Sequence, residues 1–243
     1  MKHIVFLFIS GILSIGSNAQ DNSLSTQQKK DGWVRLFDGK STAGWKGAFL
    51  PEFPSKGWQV ADGQLMVEPS EGKESVNGGD IVTVNSYGNF ELLVDFKLTE
   101  GANSGIKYFV DPAQPVPSNP RSAIGLEYQV LDDARHPDAV LGRDGNRTLG
   151  SLYDLIAAPK DKPLNPVGQW NTARIISKNN HIEHWLNGRK ILSYDRDSEE
   201  FRKLVAISKY KDITGFGMVK EGRILLQDHG NRVYFKNIYI RNL

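Results

Sequence analysis

The chain has 243 residues, of which 39% are hydrophobic and 24% charged, a composition that supports a packed core and excludes disordered, collagen-like and multi-pass membrane proteins. Its formal net charge of +2 provides no basic excess that would favour nucleic acid as a partner. The absence of cysteine excludes disulfides, thiolate metal sites and a cysteine nucleophile. A length near 240 fits one large β-sandwich, because such domains commonly run to about 200–250 residues.

The amino-terminal segment has the features of a secretory signal. Lys2 precedes a nearly continuous apolar stretch over residues 4–15, and Ser17 and Ala19 place small side chains before a cleavage site. The stretch is shorter than the roughly 20 residues that a membrane-spanning helix needs. We therefore predict a signal peptide over residues 1–19, export to the periplasm or the medium, and no membrane span in the mature protein. Residues 20–31 are predicted to be a flexible tether, followed by a single domain over residues 32–243.

Short segments of alternating apolar and polar residues then recur, separated by Gly, Pro, Asn and Asp clusters, which is typical of an antiparallel sandwich or barrel. The clearest predicted strand is Asn89–Thr99. The others are Gln64–Glu68, Asp80–Val84, Ser104–Val110, Gly125–Asp132, Gly150–Ile156, Thr172–Ser177, His181–Leu186, Lys190–Tyr194, Phe216–Val219, Arg223–Asp228 and Val233–Arg241. The dipeptides Asn179-Asn180 and Asn187-Gly188 predict tight turns. One helix is predicted over Ser198–Ser208, which begins with a capping pattern.

The segment Asp111–Pro120 contains four prolines and predicts a surface loop between two strands. Long loops in compact domains often carry function, so we expect this loop to line a site. The next predicted strand places Glu127 and Gln129 on one face, because side chains alternate along a strand. These two polar groups belong either to a solvated sheet face or to the floor of a sugar-binding cleft.

Three histidines are candidates for proton transfer or binding. His136 lies in a loop after Asp132, and a nearby carboxylate can adjust the histidine pKa for acid–base work. His184 is either a hydrogen-bonded core residue or a cleft residue. Asp228 and His229 form either an orienting group and a base or an ordinary turn. His181 and His184 point to opposite faces of their strand, so their spacing gives little support for a metal site.

Several enzyme classes lack their characteristic residues here. The sequence has no phosphate-binding glycine loop, no His-Glu-x-x-His helix and no Gly-x-Ser-x-Gly turn. In the predicted strand of Gly125–Asp133 only one carboxylate lies on each face, whereas a glycosidase acid and nucleophile often share one strand face. Direct glycoside hydrolysis by such a pair is therefore disfavoured.

Asn103 and Asp80 occupy polar, glycine-containing segments that form either turns or ligand contacts.

A set of motifs occurs in an order that resembles the 3-keto-disaccharide hydrolase family. The motifs are Trp33–Lys40 with Gly44-Trp45, Asn103–Ile106, Gly125–Asp133, Gly150–Tyr153, Trp170-Asn171, His184–Gly188 and Gln227–Gly230. The resemblance covers about residues 32–243. It implies an all-β, concanavalin-like jelly roll that acts on glycosides already oxidised to a ketone at carbon 3 by a separate sugar oxidoreductase.

The resemblance also implies a reaction. The ketone acidifies the hydrogen on carbon 2, a base removes it, the substituent on carbon 1 is eliminated, and water adds. We assign catalytic roles to His136, His229, Glu127 and Asp132, with His136 or His229 as the base. Six residues are assigned to substrate binding: Gln129, Asn103, Asp80, Tyr153, His184 and Gln227. The metal ligands are left open, and a divalent cation that polarises the ketone is compatible with this chemistry. The competing hypothesis is a non-catalytic, lectin-like carbohydrate-binding module.

Overall fold

A computed structural model describes residues 21–74, 76–117 and 122–243, so the predicted signal peptide lies outside the described residues. Within these ranges the chain forms two antiparallel β-sheets. The strands are β1 Val34–Arg35, β2 Trp45–Gly47, β3 Trp58–Ala61, β4 Gln64–Val67, β5 Ile81–Thr83, β6 Phe90–Leu98, β7 Asn103–Val110, β8 Leu126–Leu131, β9 Trp170–Lys178, β10 His181–Leu186, β11 Arg189–Asp195, β12 Arg223–Leu226 and β13 Val233–Asn242. The helices are α1 Thr26–Lys30, α2 Glu199–Ala206 and a 3-10 turn at Pro137–Val140.

The larger sheet has the strand order β11-β10-β9-β6-β13-β4-β3, with β1 paired to β13. The smaller sheet has the order β2-β5-β12-β7-β8. One apolar cluster joins the facing sides of both sheets, with Phe90 and Phe96 from the larger sheet and Ile106 and Tyr128 from the smaller one. The predicted all-β sandwich is thus confirmed, and the smaller sheet presents its other face to a cavity.

The two tight turns form as predicted and connect β9, β10 and β11 into a meander. Asn179 and Asn180 have φ values of 51° and 67°, and Asn187 and Gly188 have 46° and 82°. Left-handed backbone at both central positions matches the twist of a hairpin, which favours Asn and Gly there. Helix α2 also begins as predicted, because the Ser198 side chain accepts the Phe201 N–H at 3.1 Å.

Two predicted strands are absent from the described structure. Gly150–Ile156 is a compact loop with two isolated bridges through Leu152, whose side chain fills the core from that loop. Phe216–Val219 is a turn in which Gly217 has a φ of 75°, a left-handed conformation that interrupts a strand. In both segments apolar residues serve the core without extended pairing, so alternation alone led to a wrong prediction.

Residues 21–23 pack on the sandwich, within a segment whose polar composition predicted a flexible tether. The Asn22 N–H donates to Asn237 Oδ1 at 2.6 Å, and the Asn237 N–H donates to Asn22 Oδ1 at 2.9 Å. Ser25 then caps α1 and completes a capping box with Gln28. Side-chain amides that pair with backbone groups replace the apolar contacts that the sequence pattern lacked.

In the described part of the chain, neither helix has the length and apolar character needed to cross a bilayer.

Candidate active site

A polar cavity lies over strands β7 and β8, on the side of the smaller sheet that faces away from the core. In the pairing of these strands, Lys107 is opposite Glu127 and Gly105 is opposite Gln129. Because side chains alternate along a strand, all four residues share the cavity face, whereas Ile106 points into the core. The cavity has a volume of about 310 Å³, which lies at the small end of the range for small-molecule sites.

The fold brings six of the predicted site residues together around this cavity, although they are distant in sequence. These are Asn103, Glu127, Gln129, Tyr153, Gln227 and His229. Val116 also lines it, so the proline-rich loop Asp111–Pro120 borders the cavity as expected. The polar face of β8 is therefore the floor of a cleft, which was one of the two alternatives that the sequence left open.

Two buried polar atoms at the cavity have no hydrogen-bond partner among the described residues. They are Nδ1 of His229 and Oδ1 of Asn103. Leaving a buried donor or acceptor unpaired costs about 1–3 kcal/mol, and folded proteins seldom do so away from functional sites. Both residues line the same cavity, which marks it as the candidate site for a polar ligand.

A turn after β12 positions His229. The Asp228 carboxylate accepts the N–H of Gly230 at 3.0 Å and the N–H of Gly79 at 3.2 Å, and the Asp228 N–H donates to Asp80 Oδ1 at 2.9 Å. Asp228 therefore forms the turn, and within the described residues no hydrogen bond joins its carboxylate to the His229 ring. Of the two alternatives for this pair, turn formation explains Asp228.

His136 lies beside His229 but has a different hydrogen-bonding state. Their rings meet edge to face, with centroids 5.6 Å apart. His136 caps the 3-10 turn, because its Nδ1 accepts the Asp138 N–H at 3.2 Å. A neutral His136 therefore carries its hydrogen on Nε2, since Nδ1 is the acceptor. Burial, together with the neighbouring His229, lowers the pKa of His136. His136 thus packs against the His229 ring, and in this neutral state neither of its nitrogens has a free lone pair.

Glu127 is a buried carboxyl group on the cavity floor. Burial raises its pKa, while Lys107 and Lys209 act in the opposite direction. Among the described residues, its carboxylate has no hydrogen bond and no ion pair within 4.0 Å. Gly105 provides the space for it: a Cβ at position 105 would lie 2.4 Å from Glu127 Oε1. A carboxyl group with a raised pKa and free oxygens is suited to exchange protons near neutral pH.

Asp80 lies behind the cavity floor rather than in its lining. Its Oδ2 is 3.7 Å from the Nζ of Lys107, and both side chains are buried. Burial raises the pKa of Asp80. Burial lowers the pKa of Lys107, but the carboxylates of Asp80, Glu127 and Glu74 outweigh this effect and raise it overall. Asp80 therefore holds the Lys107 ammonium in place, and its predicted direct contact with substrate has no support in this arrangement.

His184, which was assigned to substrate binding, is not among the residues that line the cavity. It lies between the two sheets with 0% exposure, where Nδ1 is 3.0 Å from the carbonyl oxygen of Gly150 and Nε2 is 2.7 Å from the hydroxyl of Tyr108. Both nitrogens are satisfied, which matches the alternative of a core histidine. Burial lowers the pKa of His184 to about 4, so it is neutral at pH 7.

Asp132 is likewise not brought into the cavity. Its carboxylate accepts the N–H of Gly101 at 2.8 Å and the N–H of Ala134 at 3.2 Å, and it pairs with Arg135 at 3.4 Å. These contacts fix the chain where β8 ends. A buried carboxylate that ties two backbone segments together is a structural group, so the predicted catalytic role of Asp132 has no geometric basis.

Two lysines that were not expected from the sequence, Lys107 and Lys209, also line the cavity. Lys107 could have been found from strand alternation, because it lies on the same face of β7 as Asn103. Lys209 follows α2 in an irregular segment and carries no comparable signal. Lysine usually occurs at exposed positions, and composition alone gives no reason to place it in a cleft.

The donor set does not fit a divalent cation. Among the described residues, no three His, Cys, Asp or Glu side chains are grouped as a metal site requires. The Lys107 ammonium also lies on the cavity floor between carboxylates, where it supplies the positive charge that a cation would bring. No step of the chemistry below is therefore assigned to a metal.

A small polar cavity with acid–base side chains, on the outer face of an antiparallel sandwich, fits a carbohydrate-active enzyme. The chain belongs to the family of the 3-keto-alpha-glucoside-1,2-lyase-like domain, whose model matches residues 32–241. It is 35% identical over 246 residues to a 3-keto-disaccharide hydrolase of Bacteroides thetaiotaomicron, an alignment that covers 93% of this chain and 83% of the relative.

Solved structures agree with this family assignment. A Parabacteroides distasonis protein with the provisional name glycosyl hydrolase is 33% identical with a TM-score of 0.78, and the match covers 92% of this chain and 100% of that one. A second such protein from the same species is 27% identical with a TM-score of 0.62, covering 87% and 99%. A Bacillus subtilis protein with a galectin-like fold has a TM-score of 0.50 at 14% identity, covering 92% and 95%, which shows the jelly-roll fold alone.

Proposed function

We propose that the protein cleaves 3-keto-glycosides by elimination and hydration. The observation that carries this proposal is one cavity lined by His229, by the free carboxyl group of Glu127 and by Asn103, where His229 and Asn103 each have a buried polar atom without a partner among the described residues. The arrangement offers a base, an acid and a directional hydrogen-bonding amide. The second carboxylate of the cavity, Glu74, is held by a hydrogen bond from Gln227 Nε2 at 3.2 Å. The family and the name of the Bacteroides relative support a 3-keto sugar as the substrate.

In the proposed reaction, the His229 imidazole takes the proton from carbon 2 of the sugar. The C–H electron pair forms a double bond between carbons 2 and 3, and the carbonyl pair moves onto the oxygen at carbon 3. As the carbonyl re-forms, the double bond shifts to carbons 1 and 2 and the substituent on carbon 1 leaves with a proton from Glu127. Water then adds at carbon 1 and a proton returns to carbon 2, so the net change is hydrolysis.

The remaining polar groups hold the sugar. Gln129 Oε1 accepts the Val130 N–H at 3.1 Å, so its NH₂ group is turned toward other partners. Gln227 Nε2 donates to Glu74 at 3.2 Å, which fixes its amide with the oxygen free. Sugar hydroxyls both donate and accept, and such fixed amides can bind them directionally.

The test compares a 3-keto-glucoside with the unoxidised glucoside as substrates. We expect release of the aglycone from the keto-sugar alone, because only the ketone acidifies carbon 2. His229→Gln and Glu127→Gln should each lower kcat by about 100-fold or more, the usual contribution of a proton-transferring group. Asp132→Asn serves as the matched control, and full activity is expected for it apart from any change in stability. Tight binding of plain oligosaccharides without turnover of either sugar would instead indicate a lectin-like module.

The proposal places the enzyme after an oxidation step. A separate oxidoreductase has to convert the hydroxyl at carbon 3 into the ketone, since nothing in the reaction above changes an oxidation state. We also propose export, on the basis of the signal-like residues 1–19 alone. Mass spectrometry of the native protein should find an amino terminus at residue 20, and a retained Met1 would contradict this.

A further inference from the structure

Lys209 places a positive charge in the cavity without a neutralising contact. Its ammonium nitrogen is 4.2 Å from the ring centroid of Tyr153 and 5.3 Å from that of Tyr210. Aromatic faces attract a cation but leave its N–H groups available. No ion pair to Lys209 occurs within the described ranges. The residue as a whole is solvent-accessible, so a ligand in the cavity can reach it.

The two cavity lysines differ in this respect. Lys107 is compensated, because its Nζ is 3.7 Å from Asp80 and also donates to the carbonyl oxygen of Ala123 at 3.4 Å. Lys209 has no such contacts. Burial of its ammonium lowers its pKa, Glu127 opposes this change, and the nearby cation Lys107 adds to it. The Lys209 cation would therefore be stabilised by an additional negative charge in the cavity.

A network of ion pairs and hydrogen bonds fixes the backbone of Lys209. Its backbone N–H donates to Asp154 Oδ2 at 2.8 Å, and Asp154 Oδ1 accepts from Arg147 Nε at 2.7 Å. Arg147 Nη1 also donates to Asp138 Oδ1 at 2.9 Å, while the Tyr153 hydroxyl donates to Asp138 Oδ2 at 2.8 Å. The network thus ties the backbone of Lys209 to the ring beneath its ammonium. A donor held in place before reaction stabilises developing charge at little reorganisation cost.

We propose that Lys209 is a catalytic residue whose ammonium group hydrogen-bonds the oxygen on carbon 3 and stabilises the enolate. This inference rests on the proposed function. When His229 removes the proton from carbon 2, the carbonyl electron pair moves onto that oxygen, and the ammonium donates a hydrogen bond to the resulting negative charge. No covalent bond to lysine forms, and the ammonium returns to its starting state when the carbonyl re-forms and the substituent on carbon 1 leaves.

The experiment measures kcat and KM on a 3-keto-glucoside for Lys209→Met, Lys209→Arg and Lys211→Met. Removing one preorganised donor to a developing oxyanion typically lowers kcat by about 100-fold to 1,000-fold. We expect that loss for Lys209→Met with little change in KM or melting temperature, and partial recovery for Lys209→Arg, which keeps the charge. Lys211 is exposed nearby in the chain, and Lys211→Met should retain wild-type values.

Three outcomes would overturn the role of Lys209. They are a wild-type kcat for Lys209→Met, a rise in its KM alone, or a covalent adduct at Lys209 after borohydride treatment with substrate, which would make the amine a nucleophile. Failure of the proposed function is distinguishable, since the wild-type enzyme would then release no aglycone from the keto-sugar at all.

Discussion

Gly105→Ala tests the placement of the Glu127 carboxyl group. Gly105 lies in strand β7 with an ordinary backbone, so alanine can adopt its conformation without strain. Its added Cβ would lie 2.4 Å from Oε1 and 2.9 Å from Cδ of Glu127. The nearest contacts are therefore to the end of one side chain, which can retreat while the backbone stays in place.

The geometry sets the size of the expected effect. Ordinary van der Waals contact begins near 3.4 Å, so Oε1 has to move by about 1 Å. A displacement of about 1 Å in a catalytic group can reduce the rate on the order of 100-fold. Stability should change by less than about 1 kcal/mol, because replacing glycine with alanine restricts the unfolded chain by about 0.4–1 kcal/mol and offsets the new contact.

The assay is kcat/KM on a 3-keto-glucoside together with urea unfolding of the same preparation. Gly88→Ala is the control, since its Cβ would lie 3.1 Å from Glu221 Cγ and the residue does not line the cavity. We expect a loss of about 10-fold to 100-fold for Gly105→Ala and wild-type kinetics for Gly88→Ala. More than half of the wild-type activity in a folded Gly105→Ala protein would refute the role of Glu127.

Three further predictions concern other parts of the fold. The pKa of His184 falls to about 4 on folding, so between pH 6.5 and 4 its unfolded form binds a proton that the native form excludes. The free energy of unfolding should therefore drop by about 3 kcal/mol as the pH falls from 6.5 to 4. Urea titrations at several pH values should find that the free energy of unfolding depends less on pH in His184→Gln. His136→Asn, which can keep the cap, should retain at least ten times the kcat of His229→Asn, and equal losses would contradict the assignment of the base. Asn22→Ala should lower the free energy of unfolding by about 1–3 kcal/mol through its bonds with Asn237, whereas no change would restore the flexible-tether prediction.

Much of the sandwich could be predicted because each central strand buries one face. In β6 the alternation from Phe90 to Leu98 follows the buried positions, and the Asn-Gly turn after Leu186 fixes a hairpin. The short strands β1 to β3 were missed, since two to four residues are too few to display a period. The core-filling loop around Leu152 was wrongly predicted as a strand, because its buried apolar residues gave it the sequence pattern of an extended strand.

The site was predictable where strand parity controls it and not where tertiary packing does. Glu127 and Gln129 share a face of β8 by simple alternation, and the structure places both in the cavity. The same alternation places His184 on the core face of its strand, but the sequence alone could not distinguish a core position from a cleft position. Lys209 reaches the cavity only through the network that anchors its backbone, and no local pattern encodes that arrangement.

Reaction in D₂O tests the removal of the carbon 2 proton most directly. A 3-keto-glucoside is converted by the enzyme, and the released 3-keto sugar is examined by NMR at early times beside a sample of the same sugar incubated without enzyme, which corrects for spontaneous exchange. Elimination followed by hydration predicts one deuterium at carbon 2 in each turnover. Product that retains the original hydrogen at carbon 2 would contradict it and would require direct cleavage of the glycosidic bond.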